Sequence, residues 1–265
     1  MDDGHTTGWE ANEEYALTQE QLANLSVNDE LAKAAGEMRT QLSMRRNQLD
    51  VVDRFFVSQF GKAQRTFVAI HTLLRSSLIE DALCLLRVLV ENTINLQYAI
   101  KSGPVEAVRR YWDWAMLDAI RRSRASDWFE GTGLWPNERK ESFLRTEAEI
   151  KSRYRGEEFK KLKRDVFGIP LESRAKIAGL SQLYTNSYRV TSRNVHAMDL
   201  AVLGDLQSGL SVDEYNEFCQ LRASHVLEIA QWCLGTLTIW VNGQFQCGFD
   251  DHLRELQERS PSGSL

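Results

Sequence analysis

The amino-acid sequence predicts an all-α protein, folded as a single-domain helical bundle of six to eight helices. Three observations carry that expectation. Only four prolines, Pro104, Pro136, Pro170 and Pro261, interrupt 265 residues, so long stretches keep every backbone donor a helix needs. Apolar residues recur at three, four or seven positions, the spacing of one helix face. No alternating apolar run is long enough to make a strand, and no repeat of fixed period is present.

Taken in chain order, residues 1–12 lack periodicity and read as a mobile acidic N-terminus, residues 13–258 as the helical bundle domain, and residues 259–265 as a mobile C-terminal tail. Helix starts are signalled by Thr18-x-x-Gln21, Ser77-x-x-Glu80 and Ser211-x-x-Glu214, where a hydroxyl accepts from a free amide and a later side chain returns a bond. From Leu31, the positions Ala35, Met38, Leu42, Leu49, Val52, Phe56 and Phe60 line one face and predict a long helix ending near Gly61. A second run, Phe67 to Leu74, precedes Arg75-Ser76-Ser77, and a further helix is expected from about Leu78 to Lys101, stopped by Gly103-Pro104. Helices follow at about 105–125, 138–166, 172–197 and 212–241, with a short amphipathic one near 250–258. The stretches Asp127 to Asn137, with Trp128 and Trp135, and Met198 to Leu210 read as loops.

Composition narrows the function classes. Hydrophobic residues make up 43% and charged residues 26%, ordinary values for a globular core. Cys84, Cys219, Cys233 and Cys247 form no C-x-x-C pair, so they read as reduced core thiols, and no metal or cofactor is expected. No stretch approaches the ~18 charge-free residues of a membrane span, and the N-terminus lacks a basic region followed by an apolar run, which together predict a cytoplasmic protein without a membrane partner. Net charge is −5, yet residues 1–30 hold eight acids and no Lys or Arg, leaving +3 for the remainder. The acidity is local, and a basic surface can exist elsewhere.

Two helices carry polar stripes. On the 78–101 helix, Arg87, Glu91, Asn95 and Tyr98 fall within about 80° of an otherwise apolar rod. One reading pairs Arg87 with Glu91 one turn apart and has Asn95 satisfy buried backbone groups. The other makes the stripe a wall of a polar cleft. In the second helix Tyr184, Tyr188, Ser192 and His196 are spaced by four, beside Arg189 and Arg193. A lone histidine is usually a hydrogen-bonded structural residue, but one beside two arginines and two hydroxyls also has the makings of a proton-transfer or phosphate site. The two helices are expected to be neighbours.

The order Arg87-x3-Glu91-x3-Asn95-x2-Tyr98, then Tyr188-x3-Ser192-x3-His196, resembles an uncharacterised bacterial family of all-helical domains of unknown function. A more distant likeness is to HEPN domains, helical bundles that include metal-independent ribonucleases of toxin and defence systems. Their motif is an Arg, usually with a polar neighbour, then four to six residues before a His. Six residues intervene between Arg189 and His196, but Arg189 is followed by Val190, whereas Arg193 is followed by Asn194 but has only two residues between it and His196. This likeness implies His196 as general acid or base at a ribose hydroxyl, Arg193 or Arg189 neutralising phosphate charge, and a homodimer.

Residues 151–164 offer RNA a second contact, with Lys151, Arg153, Arg155, Lys160, Lys161, Lys163 and Arg164 against Glu157 and Glu158. Of these, Arg153, Arg155, Lys160, Lys161 and Lys163 are the candidate backbone contacts; a solvated helix face is the plainer reading. Trp112, Trp114, Trp128 and Trp135 could stack on bases, though such spacing more often serves packing. Two functions follow as expectations: a HEPN-like ribonuclease or RNA binder, and a noncatalytic helical interaction module whose stripes are structural networks.

Overall fold

The structure, a computed structural model of the chain, describes residues 17–125, 137–195 and 211–260. The predicted mobile N-terminus at 1–12, loop residues 127–136 and 198–210, and tail residues 261–265 lie outside them. Ten helices and no strand are present among the described residues. They are α1 (Gln19–Met44), α2 (Val51–Arg75), α3 (Ile79–Lys101), α4 (Pro104–Ala125), α5 (Asn137–Arg153), α6 (Gly156–Arg164), α7 (Leu171–Ala178), α8 (181–195), α9 (Val212–Phe245) and α10 (Asp250–Arg259).

Three predicted helices are each broken, and the count rises only to ten because the separate helix expected at Phe67–Leu74 merges into α2. The long helix expected from Leu31 to Gly61 stops at Met44, and α2 begins after Asp50, whose carboxylate accepts from the Asp53 amide at 2.8 Å. That aspartate is an N-cap which the apolar spacing runs straight past. Gly61 ends nothing: α2 continues through it to Arg75, and a β-carbon there would meet Arg39 Cδ at 3.0 Å. The glycine serves close helix packing rather than termination. Likewise 138–166 breaks at Tyr154-Arg155 before Gly156, at φ 29, and 172–197 breaks at Gly179. Gly179, at φ 74, is a left-handed cap: the Leu180 amide reaches back to Ala175 O at 2.7 Å, and Lys101 Nζ donates to Ala178 O at 2.6 Å.

Two capping boxes form as expected, Thr18 with Gln21 and Ser211 with Glu214. At the third, Ser77 takes φ 57 and α3 starts after Leu78.

The chain groups into two compact units interleaved in sequence. Unit 1 holds Met1–Gln48, Val57–Thr93 and Thr185–Leu265, and unit 2 holds Leu49–Phe56 and Ile94–Tyr184. In unit 1 the side chains removed from water include Leu31 and Met38 of α1, Phe60 and Phe67 of α2, Leu86 of α3 and Leu234 of α9. Helix α1 packs along α9, with Gln21 Nε2 donating to Gln220 O at 2.8 Å and Ser224 Oγ at 3.0 Å.

Unit 2 has its own core. Leu117, Ile150, Tyr154 and Leu162 cluster with Trp114 and Phe159 against them. Phe55, Tyr111, Phe167 and Tyr98 make a chain of ring contacts at 4.8, 5.9 and 5.1 Å. Phe167 reaches this position from a short turn, Val166–Gly168, in which it takes φ 61 although it is not glycine. Its fully buried ring offsets that backbone cost.

Candidate functional site

The stripe of α3 is half-buried at Arg87, Glu91 and Asn95 and buried only at Tyr98. Arg87 does not pair with Glu91. Its Nη2 instead donates to Tyr188 Oη on α8 at 3.1 Å, and its guanidinium carbon lies 5.0 Å from the centre of the same ring. The expected neighbouring of the two stripe helices is therefore present at this pair. Glu91 has no ion-pair or hydrogen-bond partner among the described residues.

Asn95 does not serve buried backbone groups either. Its Oδ1 accepts from Arg174 Nη1 of α7, and that guanidinium lies 5.7 Å from the Phe167 ring. The backbone role falls to Asn92, which periodicity hid among apolar positions: it is buried, and its Nδ2 donates to Gln59 O at 3.0 Å.

The second stripe is not one uniform α-helical face. Helix α8 opens with Ser181–Leu183, continues as a π segment over Tyr184–Tyr188, and ends as α-helix over Arg189–Val195. The π segment winds more residues into each turn, so the register of Tyr184 against Tyr188 and Ser192 differs from that of a straight α-helix. Hydroxyls gather around its end. Thr191 Oγ1 donates to Ser187 O at 2.7 Å, and Ser192 Oγ donates to Tyr188 O at 2.7 Å. Ser192 thus bonds within its own helix. Arg189 is exposed and has no partner among the described residues. His196 and the side chain of Arg193 lie outside the described residues.

The basic segment spans the end of α5 and all of α6, in unit 2, and all seven of its Lys and Arg side chains are exposed. Four sit in ion pairs: Arg153 with Asp113 at 3.0 Å, Lys160 with Glu157 at 2.6 Å, Lys163 with Glu147 at 3.4 Å, and Arg164 with Asp165 at 2.8 Å. Lys151, Arg155 and Lys161 have no partner among the described residues. Asp113 differs from the other acids in being buried, and Tyr154 Oη donates to it at 2.8 Å. Burial and that carboxylate together push the Tyr154 hydroxyl well above its ordinary range.

Charge divides between the units. Unit 2 holds 19 basic against 15 acidic residues, a net +4, and unit 1 holds 13 basic against 22 acidic, a net −9. Among the described residues no group of three or more His, Cys, Asp or Glu is placed to hold a metal ion, and no helix is long and apolar enough to cross a membrane.

No curated protein and no solved structure matches the chain. A family model does match, over residues 53–212, a span that takes in both polar stripes and the basic segment. The chain belongs to that family, a family of unknown function (DUF5677).

Proposed function

We propose that this chain is an RNA-binding helical protein whose unit 2 holds the phosphate backbone through α5 and α6. The observation that carries this reading is the charge division, a net +4 unit with seven exposed cations in 14 residues inside a chain of net −5. Arg155 and Lys161 are the leading contacts, because among the described residues no carboxylate holds either one. Lys160 and Lys163 contribute by exchange, since exposed ion pairs contribute about 0–1 kcal/mol and a phosphate can replace the carboxylate, and Arg153 contributes through the part of its side chain left exposed beside buried Asp113. The likeness of the Arg189-to-His196 stretch to the HEPN motif directs the reading to RNA.

The test is the affinity of a fluorescein-labelled RNA across a salt series, for wild type and Arg155→Glu/Lys161→Glu. The variant should bind at least fivefold more weakly, and its log–log salt slope should be shallower by about 1.4 on a single strand. Equal affinities and slopes would rule the surface out.

A metal-independent endoribonuclease is the second reading, favoured by Arg189 standing exposed after the π segment with no partner among the described residues. His196 would exchange the proton, with Arg189 or Arg193 on the phosphate. Arg87, Asn95, Tyr188 and Ser192 already have partners within the fold, so they position rather than react. Labelled tRNA and mRNA incubated in EDTA with wild type and His196→Ala decide between the readings. Cleavage lost with the histidine supports catalysis, and cleavage by neither, or equally by both, leaves binding alone. Sedimentation of the same samples tests the homodimer that the HEPN likeness implies.

A further inference from the structure

We infer that the outer face of α4 is a stacking platform for unpaired bases, which would make this protein select single-stranded over duplex RNA; the inference rests on the RNA-binding reading above. Val105, Trp112 and Met116 recur at i, i+7 and i+11, so they share one side of the helix. They are 72%, 49% and 38% exposed, an apolar strip on the net-positive unit. The Trp112 indole is not loose, since it meets the Tyr111 ring edge-on at 5.9 Å. Its neighbour in the cluster, Trp114, is spent on packing against Leu117 and Ile150.

Two guanidinium groups belong to the same stretch of the unit. Arg109, one turn before Trp112, is exposed and shares Glu106 at 2.5 Å. Arg153 reaches Asp113, the residue after Trp112, with its side chain 41% exposed. An exposed ring in a segment that also holds two guanidinium groups suits a nucleotide, whose base stacks on the ring while its phosphate meets a cation. Duplex RNA keeps its bases inside the helix and cannot use the ring. A second copy of the chain is the poorer occupant, because a two-fold contact here would set Arg109 and Arg153 of one protomer against the same residues of its partner.

The experiment uses the full chain with a labelled 15-nucleotide oligouridine and a labelled hairpin duplex, comparing wild type with Trp112→Leu and Trp112→Phe. Leucine keeps apolar bulk without the π face, and phenylalanine keeps a ring. The expected result is that wild type prefers the oligouridine, Trp112→Leu loses roughly five- to hundredfold there while holding the duplex unchanged, and Trp112→Phe retains most of the affinity. Melting curves superimposable on wild type confirm that each variant is folded, and if Trp112→Leu is not, the Trp112→Phe comparison and iodide quenching of indole fluorescence with and without oligouridine decide. Three results overturn the inference: single-strand affinity unmoved by Trp112→Leu, equal loss on both RNAs, or a change in sedimenting mass that marks the face as a self-contact. Binding of neither RNA by wild type overturns the RNA-binding reading itself, whereas binding that is sensitive to Arg155→Glu/Lys161→Glu but not to Trp112→Leu overturns only the platform.

Discussion

Arg87 and Tyr188, 101 residues apart in sequence, join α3 to α8 by a guanidinium that both donates to the phenol oxygen and lies over the ring. The two contacts respond to different substitutions. Tyr188→Phe removes the acceptor and keeps the ring, and should cost about 1 kcal/mol; Arg87→Ala removes both and should cost more. A double-mutant cycle by urea denaturation should return a coupling energy of at least 0.5 kcal/mol, roughly the floor for interacting neighbours. Strictly additive losses would mean that the pair does not interact in solution.

Asp113 and Tyr154 tie α4 to the end of α5 inside unit 2. Tyr154→Phe leaves a buried carboxylate one donor short and should destabilise by about 1–3 kcal/mol. Arg153→Ala, which removes the partly exposed partner of the same carboxylate, should cost under about 1 kcal/mol. Thermal melts of the two variants should rank in that order, and the opposite order would contradict the assignment of the phenol as the principal donor.

His71 sets a pH dependence. Burial holds its imidazole down to about 4, against the ordinary 6.5, and Asp29, 3.5 Å from Nδ1, opposes that shift while Arg75 adds to it. Between about pH 4 and 6.5 the unfolded chain therefore carries the proton and the folded one does not. Stability rises with pH across that window, by an amount on the order of 3 kcal/mol from this group. His71→Phe keeps a ring against Phe67, which lies 4.2 Å away, and should flatten this part of the stability–pH curve measured by urea unfolding. A variant whose curve runs parallel to wild type from pH 4.5 to 7 would show that His71 is not the group responsible.

The cysteines should react unequally. Cys84 is half-buried, whereas Cys219, Cys233 and Cys247 are buried, and burial pushes the Cys233 thiol up to about 12. Native protein treated with a thiol-specific chromogenic disulfide at pH 8 should release close to one equivalent quickly, from Cys84, and all four in guanidinium. Rapid release of more than one from the native state would show that the cores open far more readily than their packing implies.

What the sequence determined by itself is what acts over a turn or two. Helical class follows from scarce prolines and apolar spacing, and the caps at Thr18 and Ser211 were legible because donor and acceptor lie three residues apart. Local chemistry also marked two of the three breaks, in Asp50 and Gly179, but the apolar periodicity continues through both and conceals them. Gly61 shows the converse error, a residue that looks like a stop and is needed for contact with Arg39.

Tertiary structure decided where each polar side chain spends its hydrogen bonds. Arg87 has a carboxylate one turn away and takes a phenol 101 residues distant, and Asn95 takes Arg174 rather than a backbone group. It also divided the charge, since a net of −5 conceals one unit of +4 and another of −9 until the chain is grouped in space. The physical reason is common to both. Helix formation depends on bonds four residues long, whereas the partner of a side chain depends on which helices pack together, and packing energy summed over distant segments leaves no periodic mark at any one position.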